Sequence, residues 1–141
     1  MISNLDTEGL SKIAFDYDLF YIDIWGVIHN GLELNLSAVE TLRHLKENKK
    51  EYVLLTNAPR PNEPVIKFLK KMGLNENFEN VFTSGEAALK YLKSDLKNKK
   101  FFHIGPPRDY DLFSSFKNLK ETNIDLADYI LCTGLFDNYN K

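Results

Sequence analysis

Residues 20–31 read FYIDIWGVIHNG. Three apolar residues, Phe20, Tyr21 and Ile22, run into Asp23; Ile24 and Trp25 follow, Gly26 allows a close turn, and Val27 and Ile28 resume the run. This is the pattern of a strand that delivers a carboxylate at its carboxyl end. A charge buried beside so much apolar surface costs on the order of several kcal/mol unless a metal or hydrogen-bond donors meet it. Asp23 is therefore expected to be buried and to have a task.

Outward from this stretch, strand and helix patterns alternate. Upstream, Leu5, Leu10, Ile13 and Ala14 keep near-helical spacing with Asp6 or Thr7 as cap, which predicts a short leading helix over 5–15. Asp16 and Asp18 precede the strand instead of ending it and read as a helix exit and turn, not a metal pair. Downstream, Ser37 with Glu40 three residues later has the form of a capping box, and Ala38, Leu42 and Leu45 supply the buried stripe of the helix that follows. Lys46, Lys49 and Lys50 at its end suit the negative end of the helix dipole and read as a solvated face.

Tyr52 to Leu55 form a second apolar run that ends in Thr56, Asn57, Ala58 and Pro59. Unbroken apolar runs suggest a sheet covered on both faces. Asn62 can cap the next helix, which carries Val65, Phe68, Leu69 and Met72 and stops at Gly73. Val81 and Phe82 make a third strand, and a helix capped at about Ser84 carries Ala87, Ala88, Tyr91 and Leu92. Phe101 to Ile104 and Tyr129 to Leu131 are the last strands, with a helix predicted through Leu112, Phe113, Phe116 and Leu119 between them. Each crossover is long enough for a helix, so the predicted fold is α/β, a doubly wound parallel sheet.

A chain of 141 residues is about one ordinary domain, and 43% hydrophobic with 27% charged residues is globular composition. No apolar run approaches the roughly 20 residues of a membrane span, and the amino terminus lacks the basic start and apolar middle of a secretory signal, so a cytoplasmic protein is expected. A net charge of −2 with scattered lysines gives no basic stripe for nucleic acid. Cys132, the single cysteine, excludes an internal disulfide and is expected as a buried strand residue within DYILCTG. No strand is followed by the Gly-x-Gly-x-x-Gly run of a dinucleotide site.

In doubly wound sheets, ligands bind beyond the carboxyl ends of the strands. The residues at those ends are Asp23, Thr56, Asn57, Ser84, Gly105 and Gly134, and the first two strands hold the more convincing chemistry. A carboxylate can attack phosphorus in line and form an acyl phosphate that water then hydrolyses. The Thr56 hydroxyl and the main-chain N–H groups of Trp25, Gly26 and Asn57 can serve the peripheral phosphoryl oxygens. Asp23 and a backbone carbonyl are oxygen ligands of the kind magnesium takes. Ser84 reads as a helix cap, since no histidine and acid accompany it.

FYIDIWGVIHNG followed by LLTNAPR resembles the haloacid dehalogenase superfamily of phosphatases, in the class with a late-inserted cap that includes the nitrophenyl-phosphatase and nucleotide-phosphatase group. The resemblance runs from the leading helix through the final CTG strand and implies a Rossmann-like core. It implies Asp23 as nucleophile and magnesium ligand, the Trp25 carbonyl as second protein ligand, and Thr56, Asn57 and Gly26 around the phosphate. The loop His29 to Gly31 resembles the small gate beside the nucleophile. A small phosphorylated metabolite is the implied substrate.

Two departures stand out. The family places a second Asp two residues after the nucleophile as general acid and base; this chain has Trp25, an indole that donates a hydrogen bond but exchanges no proton at pH 7. A subgroup with Trp at this place exists, and His29, the nearest titratable residue in sequence, is the candidate replacement, set against a loop histidine without a catalytic role. The family's third and fourth motifs, a lysine and an acidic pair, lie beyond a cap, so residues 1–141 are expected to be the amino-terminal part of the core, weak or inactive alone. The partners expected are the missing carboxyl-terminal half, which would complete it, or a second copy of the chain in a homo-oligomer. The rival reading is a non-catalytic half-domain that binds phosphate or a partner.

Overall fold

The computed structural model describes residues 9–75, 78 and 80–136. Along them run β1 (Leu19–Asp23), α1 (Leu36–Glu47), β2 (Glu51–Thr56), α2 (Asn62–Lys71), β3 (Val81–Thr83), α3 (Ser84–Ser94), β4 (Phe101–Ile104), β5 (Lys120–Glu121) and β6 (Tyr129–Cys132). The strands lie in two three-stranded sheets, ordered β1-β2-β3 and β5-β4-β6. β1 pairs with β2 in parallel, and β4 pairs in parallel with both β5 and β6. The α/β alternation and the parallel pairing expected of a doubly wound fold hold. The chain forms two compact units, Met1–Thr56 with Phe68–Val81, and Asn57–Lys67 with Phe82–Lys141. Among the described residues no helix is long and apolar enough to cross a membrane.

In the first unit, β2 is the central strand, and its Tyr52 and Leu54 are buried. They share a core with Ile24 and Ile28 from the loop after β1, Leu42 and Leu45 from α1, and Leu69. β1 is an outer strand, and one of its faces stays open: Leu19 and Tyr21 are exposed while Phe20 and Ile22 are half-buried. Coverage on both faces thus applies to β2 and not to β1. In the second unit Phe101 on the central β4 is fully buried among Leu89, Leu92, Leu112, Phe113 and Leu131, with aromatic neighbours Phe113, Phe116 and Tyr129 at centroid distances of 5.1, 5.7 and 5.8 Å. Cys132 is exposed, contrary to expectation, because β6 is an outer strand whose Ile130 and Cys132 face outward while Leu131 faces the core.

Element boundaries differ from the sequence pattern for local reasons. The leading helix is replaced by two 3-10 turns, Leu10–Lys12 and Ala14–Asp16, and its expected caps Asp6 and Thr7 lie outside the described residues. α1 is capped by Asn35, to whose Oδ1 Ser37 Oγ donates at 2.8 Å, and Glu40 pairs with Arg43 instead of closing a capping box. Lys50 is not a solvated residue: its Nζ donates to Phe15 O and pairs with Asp18, both at 3.4 Å. The apolar spacing through Leu112, Phe113, Phe116 and Leu119 is served by a 3-10 run, Pro107–Leu119, interrupted by non-helical backbone at Phe113 and Phe116. A repeat of three suits that tighter helix as well as it suits an α-helix.

Candidate active site

β1 and β2 bring two of the predicted residues to one level. Asp23 is the register partner of Leu55, and Ile24 N–H donates to Leu55 O at 3.0 Å, so Thr56 follows directly beyond the residue that Asp23 faces. Asp23 itself is exposed, and its Oδ1 accepts from Ile24 N–H at 2.9 Å. The expectation of a buried carboxylate fails, and with it the desolvation argument: an outer strand releases its last side chain into solvent. What remains is a solvated carboxylate, anchored through one oxygen, beside a half-buried threonine.

The loop after β1 is held by its own backbone. Ile24 O accepts from Ile28 N–H at 2.8 Å, Gly26 N–H donates to His29 O at 2.8 Å, and Asn35 N–H donates to Ile28 O at 2.8 Å. Gly26 has φ 80°, a left-handed conformation that explains glycine there, since a Cβ would meet nothing within 4 Å. Its N–H is consumed within the turn and is not the free phosphate donor that the sequence suggests. Trp25 is 66% exposed. A cavity of about 430 Å³ lies elsewhere, between the amino-terminal turns and α1, and one of about 410 Å³ adjoins this loop, lined by Gly26, His29, Asn30, Glu33, Leu34, Asn35 and Leu36.

His29 is only 6% exposed. Its Nδ1 accepts Gly31 N–H at 2.9 Å and its ring meets Phe68 edge to face at 5.3 Å. Burial pushes its pKa below the ordinary histidine value.

Asn57 stands in a segment clamped by the β3–α3 corner. Ser84 Oγ donates to Asn57 O and Ala58 O at 2.9 and 3.0 Å, Gly85 N–H donates to Ala58 O at 3.1 Å, and the buried Thr83 donates its hydroxyl to Arg60 O. Thr83, not Ser84, caps α3, accepting Glu86 N–H at 2.9 Å. Asn62 likewise begins α2 rather than capping it, and its Oδ1 accepts Thr83 N–H at 3.0 Å. Both short polar residues predicted as caps are used to tie the segment after β2 to this corner.

A second polar cluster was passed over in the sequence. At the carboxyl ends of β4 and β6, His103 Nε2 lies 2.9 Å from Thr133 Oγ1, and the space for this pairing exists because Gly105 has no Cβ, which would sit 2.1 Å from that hydroxyl. Asp109, 3% exposed, lies against Gly134. Burial, then the charge of Lys120, lowers the His103 pKa, while Asp109 opposes that shift. The signal was available, since FHIGPP and LCTG each carry a polar residue, His103 and Thr133, within two positions of the glycine that follows an apolar run.

Residues 20–117 match the family of haloacid dehalogenase-like hydrolases. The chloroplastic phosphoglycolate phosphatase 1A of Arabidopsis thaliana is 34% identical over 101 residues, 70% of this chain and 28% of that protein. A haloacid dehalogenase-like hydrolase from Brucella suis 1330 superposes with a TM-score of 0.79 at 29% identity, over 91% of this chain and 46% of that one. A 4-nitrophenylphosphatase from Thermotoga maritima superposes with a TM-score of 0.67 at 22% identity, over 89% and 49%, a likeness of fold. The chain spans less than half the length of these relatives. With the match extending over the Asp23 strand, the Thr56 strand and the alternating elements that follow, the chain belongs to the haloacid dehalogenase-like hydrolase family.

Proposed function

We propose that Asp23 is the nucleophile of a magnesium-dependent phosphomonoester hydrolase that works through a phosphoaspartyl intermediate. The observation that carries this reading is the register of β1 and β2, which sets an exposed carboxylate and a threonine at neighbouring strand ends. A carboxylate oxygen of Asp23 attacks phosphorus while the ester P–O bond breaks, its electron pair going to the leaving oxygen, which takes one proton from solvent. Water then attacks the phosphorus of the acyl phosphate and gives up a proton. The bond to Asp23 breaks, and inorganic phosphate leaves a free carboxylate. Thr56 Oγ1 and the amide of Asn57 serve the peripheral oxygens.

The donor set suits a hard cation. Asp23 and the carbonyl of Trp25 would hold magnesium, which keeps several of its waters and needs few protein oxygens. When bound it neutralises charge on the phosphoryl oxygens. Among the described residues no group of three or more His, Cys, Asp or Glu gathers that could complete such a site. The second reading is a half-domain that binds phosphate or a partner without turnover. The substrate class proposed is a small phosphorylated metabolite, in keeping with the plant relative named for phosphoglycolate.

The test is hydrolysis of 4-nitrophenyl phosphate by a chain extended to the length of its relatives, beside its Asp23→Asn variant. Asn keeps an acceptor for Ile24 N–H, so the fold is retained while turnover is expected to vanish. Equal activity in both would remove Asp23 from the chemistry.

A further inference from the structure

We infer that His29 is a positioning residue, which fixes the loop between Asp23 and α1 through its Nδ1 and takes no part in proton transfer. The inference rests on the reading of Asp23 and the Trp25 carbonyl as parts of the phosphoryl site. His29 holds that loop at both ends. Towards Asp23, its carbonyl accepts Gly26 N–H at 2.8 Å, its N–H donates to Ile24 O at 3.3 Å, and it bridges to Trp25. Towards α1, its ring accepts Gly31 N–H at 2.9 Å and its backbone bridges to Leu34. The buried ring is seated edge-on against Phe68, a partly exposed residue of α2, which gives the loop one contact outside itself.

The consequence reaches Trp25. The indole is two-thirds exposed and has little packing of its own. Gly31 stands behind it, at a position where a Cβ would lie 3.9 Å from the indole Nε1. Where Gly31 sits depends on the bond to His29, so His29 sets the placement of Trp25 and of the carbonyl next to Asp23. A nitrogen that accepts a backbone N–H carries no proton, and a general acid must release and regain one. The buried Nδ1 is therefore committed to the loop.

The neighbouring residue indicates the conservative variant. Asn30 Oδ1 accepts Leu32 N–H at 2.9 Å, two residues ahead, in the same relation that His29 Nδ1 bears to Gly31. An asparagine at 29 can supply the same acceptor but cannot exchange a proton near neutrality. A phenylalanine keeps the ring against Phe68 but accepts nothing.

The experiment compares His29→Asn and His29→Phe. Trp25 is the sole tryptophan, so its emission and its quenching by acrylamide in the 141-residue chain report the loop directly. His29→Asn is expected to match the wild type, and His29→Phe to shift the emission to the red and quench more readily. In the extended chain, kcat/KM for 4-nitrophenyl phosphate is expected within about threefold of wild type for His29→Asn and about tenfold lower for His29→Phe, the effect of one lost hydrogen bond. A proton-transfer role predicts instead that both variants lose about 10²- to 10⁴-fold. His29→Asn as impaired as His29→Phe, or His29→Phe indistinguishable from wild type, overturns the inference. An active Asp23→Asn variant would sink the phosphatase reading instead, and the fluorescence comparison would still decide the role of His29.

Discussion

Asp23 and Leu55 face each other across the parallel pair β1 and β2, and the pairing is carried one residue further by the bond from Ile24 N–H to Leu55 O at 3.0 Å. Thr56 therefore leaves its strand at the level where Asp23 leaves its own. In parallel sheets this is where ligands collect, because the crossovers return to the opposite end and the strand ends are left to loops. Backbone register alone sets the two residues at neighbouring strand ends.

Thr56 is expected to act through its hydroxyl. Thr56→Val keeps the shape of the side chain and should lower kcat/KM of the extended chain by about 10- to 100-fold, as loss of a donor to a phosphoryl oxygen does. Thr56→Ser should stay within a few fold. The measurement is steady-state hydrolysis of an aryl phosphate, and equal loss in both variants would mean that the threonine methyl, not its hydroxyl, matters.

The site was legible where chemistry follows from strand ends. FYID and YVLLT announce two strands by their apolar runs, and polar residues at the end of parallel strands point to one edge of a sheet. What the sequence could not show was exposure. Asp23 looks buried in a linear run, but β1 lies at the margin of its sheet, and only pairing order reveals that. Cys132 was misread for the same reason. Capping residues were misplaced because Ser84 and Asn62 can satisfy either their own helix or a distant backbone group, and here the distant group prevails.

Magnesium should bind this chain weakly. One carboxylate and one carbonyl offer few ligands to an ion that is reluctant to shed water, so a dissociation constant on the order of 10⁻³ M or weaker is expected. A magnesium titration followed by Trp25 emission measures it, and turnover of aryl phosphate by the 141 residues should not rise above background. In the extended chain, chelation should abolish turnover and added magnesium restore it. Robust metal-dependent turnover by the 141 residues, surviving repurification, would contradict the donor count.

Acid should loosen the second unit through His103. Burial and the charge of Lys120 hold its pKa below 6.5, with Asp109 opposing. Below about pH 6.5 the unfolded chain takes up a proton that the native chain still refuses, so the unfolded state binds more protons and stability falls as pH falls. The contribution is complete above pH 6.5 and is lost as pH drops through the native pKa. His103→Gln keeps a polar partner for Thr133 and does not titrate. Urea unfolding at about pH 7.5 and about pH 5 should show a smaller loss for this variant than for wild type. Carboxylates distant from His103 contribute alike to both, and parallel losses would exclude His103 as the source.

Gly85 links packing of α3 to the segment Asn57–Arg60. A Cβ there would lie 2.3, 2.4 and 2.6 Å from the N, O and C atoms of Arg60, all backbone atoms that no rotamer change can move. Gly85→Ala must therefore push the Asn57–Arg60 segment away from the β3–α3 corner, against the bonds from Ser84, Gly85 and Thr83 that hold it. Overpacking of this kind costs about 1–3 kcal/mol, and loosened bonds to Asn57 O and Ala58 O add to it. Thermal unfolding should show a clear drop in Tm. Ser84→Ala removes only the hydroxyl bonds and should cost about 1 kcal/mol. If Asn57 positions phosphate, both variants should raise KM in the extended chain, Gly85→Ala the more strongly. Were Gly85→Ala to leave Tm and KM unchanged, the close approach of Arg60 to α3 would not hold in solution.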